Sequence, residues 1–118
     1  MPIAAQIKGV ITPTSTIWIS YDLGLRADYD GLFAWLAQHR AKECGASLAV
    51  LAFEWRESLL DELKSELSQH MAISKHDRIY VLYREKTSNK NKGRFIFGGR
   101  RAPSWTGYST TNEVDEED

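Results

Sequence analysis

Apolar and polar side chains alternate in two segments of the chain, residues 16–23 and residues 77–84. In the first segment, Ile17 and Ile19 fall on the side of an extended backbone opposite to Trp18. A period of two, combined with β-branched and aromatic residues, is typical of strands that are covered on one face. We therefore predict a β-strand in each segment.

Two further segments repeat their apolar residues with helical spacing. Asp28 is placed to cap the first predicted helix, which extends to about Arg40, and Ser58 opens the second as part of a capping box. The predicted buried stripes are Tyr29, Leu32, Phe33 and Leu36 in the first helix and Leu60, Leu63, Leu67 and Met71 in the second.

Residues 47–53 are apolar without alternation, which favours a central strand covered on both faces. Residues 94–97 form a fourth predicted strand, joined to strand 77–84 by a polar loop over residues 87–93, so the two form a hairpin. The predicted order is β-α-β-α-β-β. Strand–helix–strand units favour parallel crossovers. We therefore expect a two-layer α/β fold with a mainly parallel sheet, a C-terminal antiparallel hairpin and two helices on one face.

The same pattern divides the chain into three parts. Residues 1–15 are broken by Gly9 and Pro13 and are predicted to be a lead-in segment or an edge strand. Residues 16–108 form a single α/β domain, and residues 109–118 form a disordered acidic tail. The sheet face opposite the helices carries Trp18, Tyr80 and Leu82, which need a cover: residues 1–15, residues 103–108 or a second subunit.

The charge distribution changes this picture, because a net charge of −1 hides two opposed blocks. Residues 84–101 contain seven basic side chains and one acidic one, whereas residues 113–118 contain five acidic side chains. A basic stretch followed by an acidic tail indicates an anionic partner, a tail that masks the basic surface, or both. If the tail competes for that surface, deleting residues 113–118 should tighten binding to a polyanion at low salt.

Aromatic residues are interleaved with the basic ones between residues 83 and 108, a composition found on nucleic-acid-binding surfaces. Two other interpretations remain open: an acidic protein partner, and an ordinary edge hairpin whose lysines prevent aggregation. The sequence therefore predicts a small binding domain, with a homodimer as a further possibility. The candidate binding residues are Lys86, Lys90, Lys92, Arg94, Arg100, Arg101 and Trp105.

Asp22, at the carboxyl end of the first predicted strand, is the only candidate for a catalytic residue. A carboxylate there can hold a divalent ion or act as a general base. Tyr21-Asp22-Leu23, followed by a short loop and Tyr29-x-x-Leu32, resembles the opening of the small CRISPR adaptation nucleases. The resemblance implies a ferredoxin-like fold, a dimer, nucleic-acid binding and an aspartate at the end of the first strand. The alternative function is thus a divalent-metal-dependent nuclease or hydrolase that uses Asp22.

The chain departs from that family in two respects: we predict a single strand between the helices where the family has a hairpin, and the final hairpin is basic and different in kind. As a whole it is similar to the short α/β proteins that are common in bacterial genomes.

The remaining chemistry is sparse. Cys44 is the only cysteine, which excludes an intrachain disulfide and favours a reducing cytoplasm. No apolar run reaches the roughly 20 residues that a membrane-spanning helix needs, so we predict no membrane partner. His39, His70 and His76 lack the spacing of metal ligands. We predict neither a metal nor a cofactor.

Overall fold

The computed structural model describes residues 12–109, and the predictions for residues 1–11 and 110–118 lie outside the described residues. Seven elements follow one another along the described chain. They are β1 (Thr14–Asp22), α1 (Tyr29–Gln38), β2 (Lys42–Glu43), β3 (Leu48–Glu54), α2 (Leu59–His70), β4 (Arg78–Glu85) and β5 (Lys90–Phe97). None of the helices among these residues is long and apolar enough to cross a membrane.

The five strands form one sheet in the order β2-β3-β1-β4-β5, and every neighbouring pair is antiparallel. The predicted mainly parallel sheet is therefore wrong. The error has a single cause, the two-residue strand β2, which has no apolar pattern and was not predicted. Because β2 and β3 form a hairpin, β3 runs opposite to β1 and inserts beside it.

The hairpin also corrects the predicted order of elements. β1-α1-β2-β3-α2-β4, with strands ordered β2-β3-β1-β4, is the split β-α-β arrangement of ferredoxin-like folds. The prediction of one strand between the helices is thus wrong, since a hairpin lies there. β5 adds a fifth strand beside β4, as the predicted C-terminal hairpin required. The match to the ferredoxin-like order of elements concerns the architecture alone.

Both helices pack on the same face of the sheet around one apolar core. Every second residue of the long strands points into that core, and the helices contribute one stripe each. The fully buried side chains include Ile17, Ile19, Leu32, Trp35, Phe53, Leu63, Leu67, Ile79 and Val81. β3 is covered on this face only, because Ala52 on its other side is exposed, so the expected cover on both faces is wrong.

The helix boundaries follow local chemistry. Ser58 accepts a hydrogen bond from the Asp61 backbone N–H at 3.2 Å, which is one half of the predicted capping box, whereas the Ser58 N–H donates to Glu62 at 2.9 Å rather than to Asp61. Asp28 caps α1 by accepting from Gly31 N–H and also accepts from Ala72 N–H after α2, at 2.9 Å each. These bonds lower the pKa of Asp28, the bond from Ala72 most of all. Asp28 therefore joins the two helices as well as starting one.

The first helix buries only half of the predicted stripe, Leu32 and Leu36, and adds Trp35 to it. Trp35 is fully buried together with Leu32, whereas Tyr29 and Phe33 are about half exposed and stack on each other at 5.4 Å. The Trp35 indole N–H donates to Glu66 at 2.8 Å, which satisfies its only polar group. A tryptophan thus takes the central place in the core that the helical spacing assigned to Phe33.

Candidate functional site

Within residues 12–109 no helix and no second sheet covers the side of the sheet that faces away from the helices, and only the segment after β5 returns to one end of it. We call this side the open face. At its centre, Trp18 and Leu82 lie opposite each other on β1 and β4 and are 40% and 43% exposed. The residues that point to this face are Thr14, Thr16, Trp18, Ser20 and Asp22 on β1, Lys42 on β2, Leu48, Val50, Ala52 and Glu54 on β3, Arg78, Tyr80, Leu82 and Arg84 on β4, and Asn91, Gly93 and Phe95 on β5.

Two further aromatic rings lie beside this centre. Tyr80 and Phe95 are cross-strand partners whose ring centroids are 4.7 Å apart, in an edge-to-face arrangement. The Tyr80 ring also lies over Gly93, where a Cβ would overlap it. Glycine therefore allows the ring to lie down along the sheet, so that the open face carries three aromatic side chains on three adjacent strands.

An arginine covers the Tyr80–Phe95 pair. The Arg100 guanidinium carbon lies 5.7 Å from the centroid of each ring, within the range of cation–π attraction. Gly98 makes this possible, because it takes the left-handed conformation (φ +75°) directly after β5 and redirects the chain over the end of the sheet. The segment after β5 thereby returns to the open face.

Two more arginines complete this end of the open face, and we call Arg78, Arg100 and Arg101 the arginine cluster. Arg78 donates from Nε to Asp22 Oδ2 at 3.0 Å, and a terminal nitrogen of Arg101 lies 3.9 Å from the same oxygen. Arg100 has no carboxylate partner within the described chain. The cluster thus keeps an excess of positive charge beside exposed aromatic rings.

Two adjoining cavities, of about 260 and 360 Å³, surround the arginine cluster. Their polar and aromatic lining is what a phosphate with an attached ring would require. The smaller is lined by Ser20, Asp22, Arg78, Tyr80, Phe95 and Arg100, and the larger by Arg78, Phe95 and the segment Arg100–Trp105.

A third cavity, of about 400 Å³, lies at the opposite end of the open face, and we call it the tip cavity. It is lined by Ser15, Thr16, Trp18, Arg84, Lys86, Asn89 and Asn91. Arg84 donates to the Asn89 side-chain oxygen at 3.0 Å and to that of Asn91 at 3.1 Å. Arg78 and Arg84 are six residues apart on β4, so the two ends of the face are separated by about 20 Å.

The bend of the hairpin is held in place by Glu85. Ser88 Oγ donates to Glu85 at 2.7 Å and Lys92 Nζ lies 3.7 Å away. The hydrogen bond from Ser88, with the nearby positive charge of Lys92, lowers the pKa of the Glu85 carboxyl. The carboxylate therefore stays charged at neutral pH and fixes the turn that carries Asn89.

The predicted binding residues do not all share one surface. Lys86, Arg100, Arg101 and Trp105 line cavities of the open face. Lys90, Lys92 and Arg94 point to the helix side of β5, because they pair with Glu85, Tyr83 and Val81. Strand alternation thus divides the basic hairpin into two groups that no single flat ligand contacts together.

Asp22 is engaged by arginine rather than grouped with other acids. Two nitrogens of Arg78 donate to Asp22 Oδ2, which leaves the other oxygen of the carboxylate without a donor among residues 12–109. Within residues 12–109 no three histidine, cysteine, aspartate or glutamate side chains lie close enough to hold a metal ion. His39 instead contacts Glu66 at 2.6 Å, and His70 Nδ1 lies 2.9 Å from the Glu66 carbonyl oxygen.

Sequence reasoning missed part of the open face. It identified Trp18 and Tyr80 as groups in need of a cover but not as parts of a site, and it left out Arg78, Asn89 and Asn91. For Asn91 the signal was absent, because β5 begins at Lys90 rather than at Arg94 as predicted. A loop residue in the prediction is thus a strand residue with a fixed side.

No protein family, curated protein or solved structure matches this chain.

Proposed function

We propose that this protein binds single-stranded nucleic acid on the open face of its sheet. The observation that carries the proposal is the combination, on one uncovered face, of Trp18, Tyr80 and Phe95 with the arginine cluster. Bases stack on aromatic rings and on arginine planes, and phosphates pair with the guanidinium groups beside them. A four- or five-stranded sheet offers such rings in one plane.

The charge of the face supports an anionic ligand. The residues that line the three cavities include five cations, Arg78, Arg84, Lys86, Arg100 and Arg101, but only one acid, Asp22. Single strands suit this surface better than duplexes, because the bases of a duplex are already stacked on each other and are not free to reach the rings. The ligand is therefore an unpaired strand.

The same charges disfavour a homodimer through the open face. Both ends of the face are cationic, so a two-fold arrangement brings arginines of one copy close to arginines of the other. An acidic protein would satisfy the charges but leave the aromatic rings unused. Metal-dependent hydrolysis at Asp22 would need further acidic or histidine ligands beside it, whereas residues 12–109 hold no group of three such side chains, and Arg78 already engages one oxygen of this carboxylate. We assign the binding to the cytoplasm, as the single exposed Cys44 favours.

The test is a fluorescence-anisotropy titration of the full chain with a labelled single strand of nine nucleotides and with the corresponding duplex. We expect the single strand to bind more tightly. With three to four phosphate contacts, its logarithmic affinity should fall with the logarithm of salt at a slope of about −2 to −3. Arg100→Ala should weaken binding several-fold and reduce the magnitude of the slope by about 0.7.

Arg94→Ala provides the matched control, since Arg94 is equally exposed but lies on the helix side of β5. It should change the affinity less than twofold at moderate salt. Equal losses in the two variants would show that the cations act only through total charge. Absence of salt-sensitive binding to any single strand would refute the proposed function.

A further inference from the structure

The tip cavity has a hydrogen-bonding pattern that is set by Arg84. A guanidinium group only donates, so each amide that contacts it must present its oxygen. Asn89 and Asn91 both do so, at 3.0 and 3.1 Å. Their NH2 groups are therefore directed away from Arg84, and nothing in residues 12–109 accepts a hydrogen bond from either one.

The charged and amide side chains of the cavity consequently offer mainly donors, because Arg84 already occupies one acceptor site of each amide oxygen. Besides the two NH2 groups there are the ammonium group of Lys86 and the remaining terminal nitrogen of Arg84, which has no acceptor within the described chain. The hydroxyls of Ser15 and Thr16 can either donate or accept. The cavity therefore favours a ligand that presents closely spaced hydrogen-bond acceptors.

Among the bases, guanine meets this requirement best. Its Hoogsteen edge presents two adjacent acceptors, O6 and N7, whereas adenine replaces O6 by an amino donor and cytosine presents the amino donor N4. Thymine has carbonyl acceptors that are not adjacent, so its fit to these donors is intermediate between those of guanine and adenine. An amino group of the ligand placed against these donors would leave the donors of both the ligand and the protein without acceptors. In a partly enclosed site, this carries a large free-energy penalty.

Trp18 supplies the stacking surface for such a base. Its indole lines the cavity and is 40% exposed, so a ring can be placed against it while an edge faces the two asparagines. Asn89 holds its position through a left-handed backbone (φ 58°), which asparagine tolerates better than most residues. The cavity is thus formed before any ligand arrives.

We propose that the tip cavity is a guanine-selective subsite, in which Trp18 stacks on the base while Arg84, Asn89 and Asn91 recognise its acceptor edge. This inference rests on the proposed function, since it assigns base preference to one end of the same face. The arginine cluster at the other end contacts phosphate and supplies affinity without base preference.

The experiment compares four labelled nine-nucleotide DNA strands made of deoxycytidine, with guanine, adenine, thymine or cytosine at the central position. We expect guanine to give at least fivefold tighter binding than adenine, with thymine between them. The variant Asn91→Asp keeps an oxygen toward Arg84 but exchanges the free NH2 donor for an acceptor. The guanine-to-adenine ratio should then fall to one or below, whatever the loss of total affinity.

Lys90→Ala is the control, because Lys90 lies between Asn89 and Asn91 but points to the helix side. It should leave the ratio unchanged. Binding that differs less than twofold between guanine and adenine would overturn the guanine subsite and leave the proposed function standing, as would a ratio that Asn91→Asp does not alter. Failure of all four strands to bind would refute both proposals together.

Discussion

The two faces of the sheet are built from alternate residues of the same strands, yet their chemistry is opposite. On the helix side, Ile17, Ile19 and Val81 are fully buried beneath the two helices. On the open face, one residue further along, Trp18 and Leu82 are about 40% exposed beside arginines. A side that served only solubility would not carry aromatic rings in line across three strands.

The difference separates residues that hold the fold together from those that are free to bind. Burial stabilises by about 25 cal/mol for each Å² of apolar surface removed from water, so the helix side provides most of the stability. The open-face rings are held by neighbours such as Arg100 and Gly93 rather than by a core. Substitutions there should affect binding much more than folding.

The largest expected effect compares two tryptophans. Trp35→Ala should destabilise the protein by about 3–5 kcal/mol, because it leaves a cavity in the core and removes the donor to Glu66. Trp18→Ala should cost less than about 1 kcal/mol of stability and weaken single-strand binding by about 1–3 kcal/mol. Urea unfolding and anisotropy measure the two quantities. Equal destabilisation by both variants would remove the distinction between the faces.

The second expected effect is a loss of stability at acid pH, and it arises on the helix side of the sheet. The pKa of Asp28 is lowered by the N–H groups of Ala72 and Gly31, and that of Glu62 by three N–H groups before α2, from Ser58, Glu57 and Arg56. Since both values are lower in the folded protein, their stabilisation is complete above the unfolded values, 3.8 and 4.5, and is lost as the pH falls through the folded ones.

Urea unfolding at pH 6 and pH 3 tests this sign. Asp28→Asn should lower the free energy of unfolding at pH 6, and its difference from the unmodified protein should narrow at pH 3. A difference that is constant with pH would mean that the charge of Asp28 has no part in joining the helices.

The third expected effect is smaller and concerns the charge of the open face. Asp22→Asn removes the only acid among the residues that line the three cavities of the open face and takes away the charge partner of Arg78, so single-strand binding should tighten about threefold at low salt. A metal-dependent hydrolase would instead lose activity in this variant. Weaker binding on removal of the carboxylate would indicate that Asp22 positions the arginine cluster rather than opposing the ligand.

The smallest expected effect comes from the acidic end of the chain. Deleting residues 113–118 removes five acidic side chains and should tighten binding about twofold at low salt, with no difference at high salt. Replacing the same residues by serine and glycine, at constant length, is the control for chain length. An unchanged affinity at low salt would show that this segment does not compete for the open face.

Periodicity predicted both helices, their caps and the four long strands, because those features depend on residues close in sequence. Periodicity did not predict the relative direction of the strands. β2 spans only Lys42–Glu43, both exposed, so it has no apolar signature, yet it decides that β3 is antiparallel to β1. A left-handed Arg40 (φ 54°) just before it marks the turn only once the backbone is known.

The site was predictable in composition but not in arrangement. The basic hairpin was evident from residues 84–101, but the side taken by each cation depends on where β5 begins and on the irregularity in its pairing opposite Ile79 and Tyr80. That irregularity places Phe95 beside Tyr80 and Phe97 on the helix side, near Lys64. Neither the first residue of β5 nor the irregularity in its pairing has a local sequence signal. The division of the cations between the two faces therefore follows only from the strand register.

The most direct test of the central claim uses the four tryptophan indole N–H signals in an ¹⁵N-labelled sample titrated with a single strand of nine thymidines. Trp18 and Trp105 line cavities of the open face, whereas the indoles of Trp35 and Trp55 donate to Glu66 and Ser15. We expect the first two signals to shift, less so at high salt, while the other two stay in place. Shifts confined to Trp35 and Trp55, or none at all, would contradict the account.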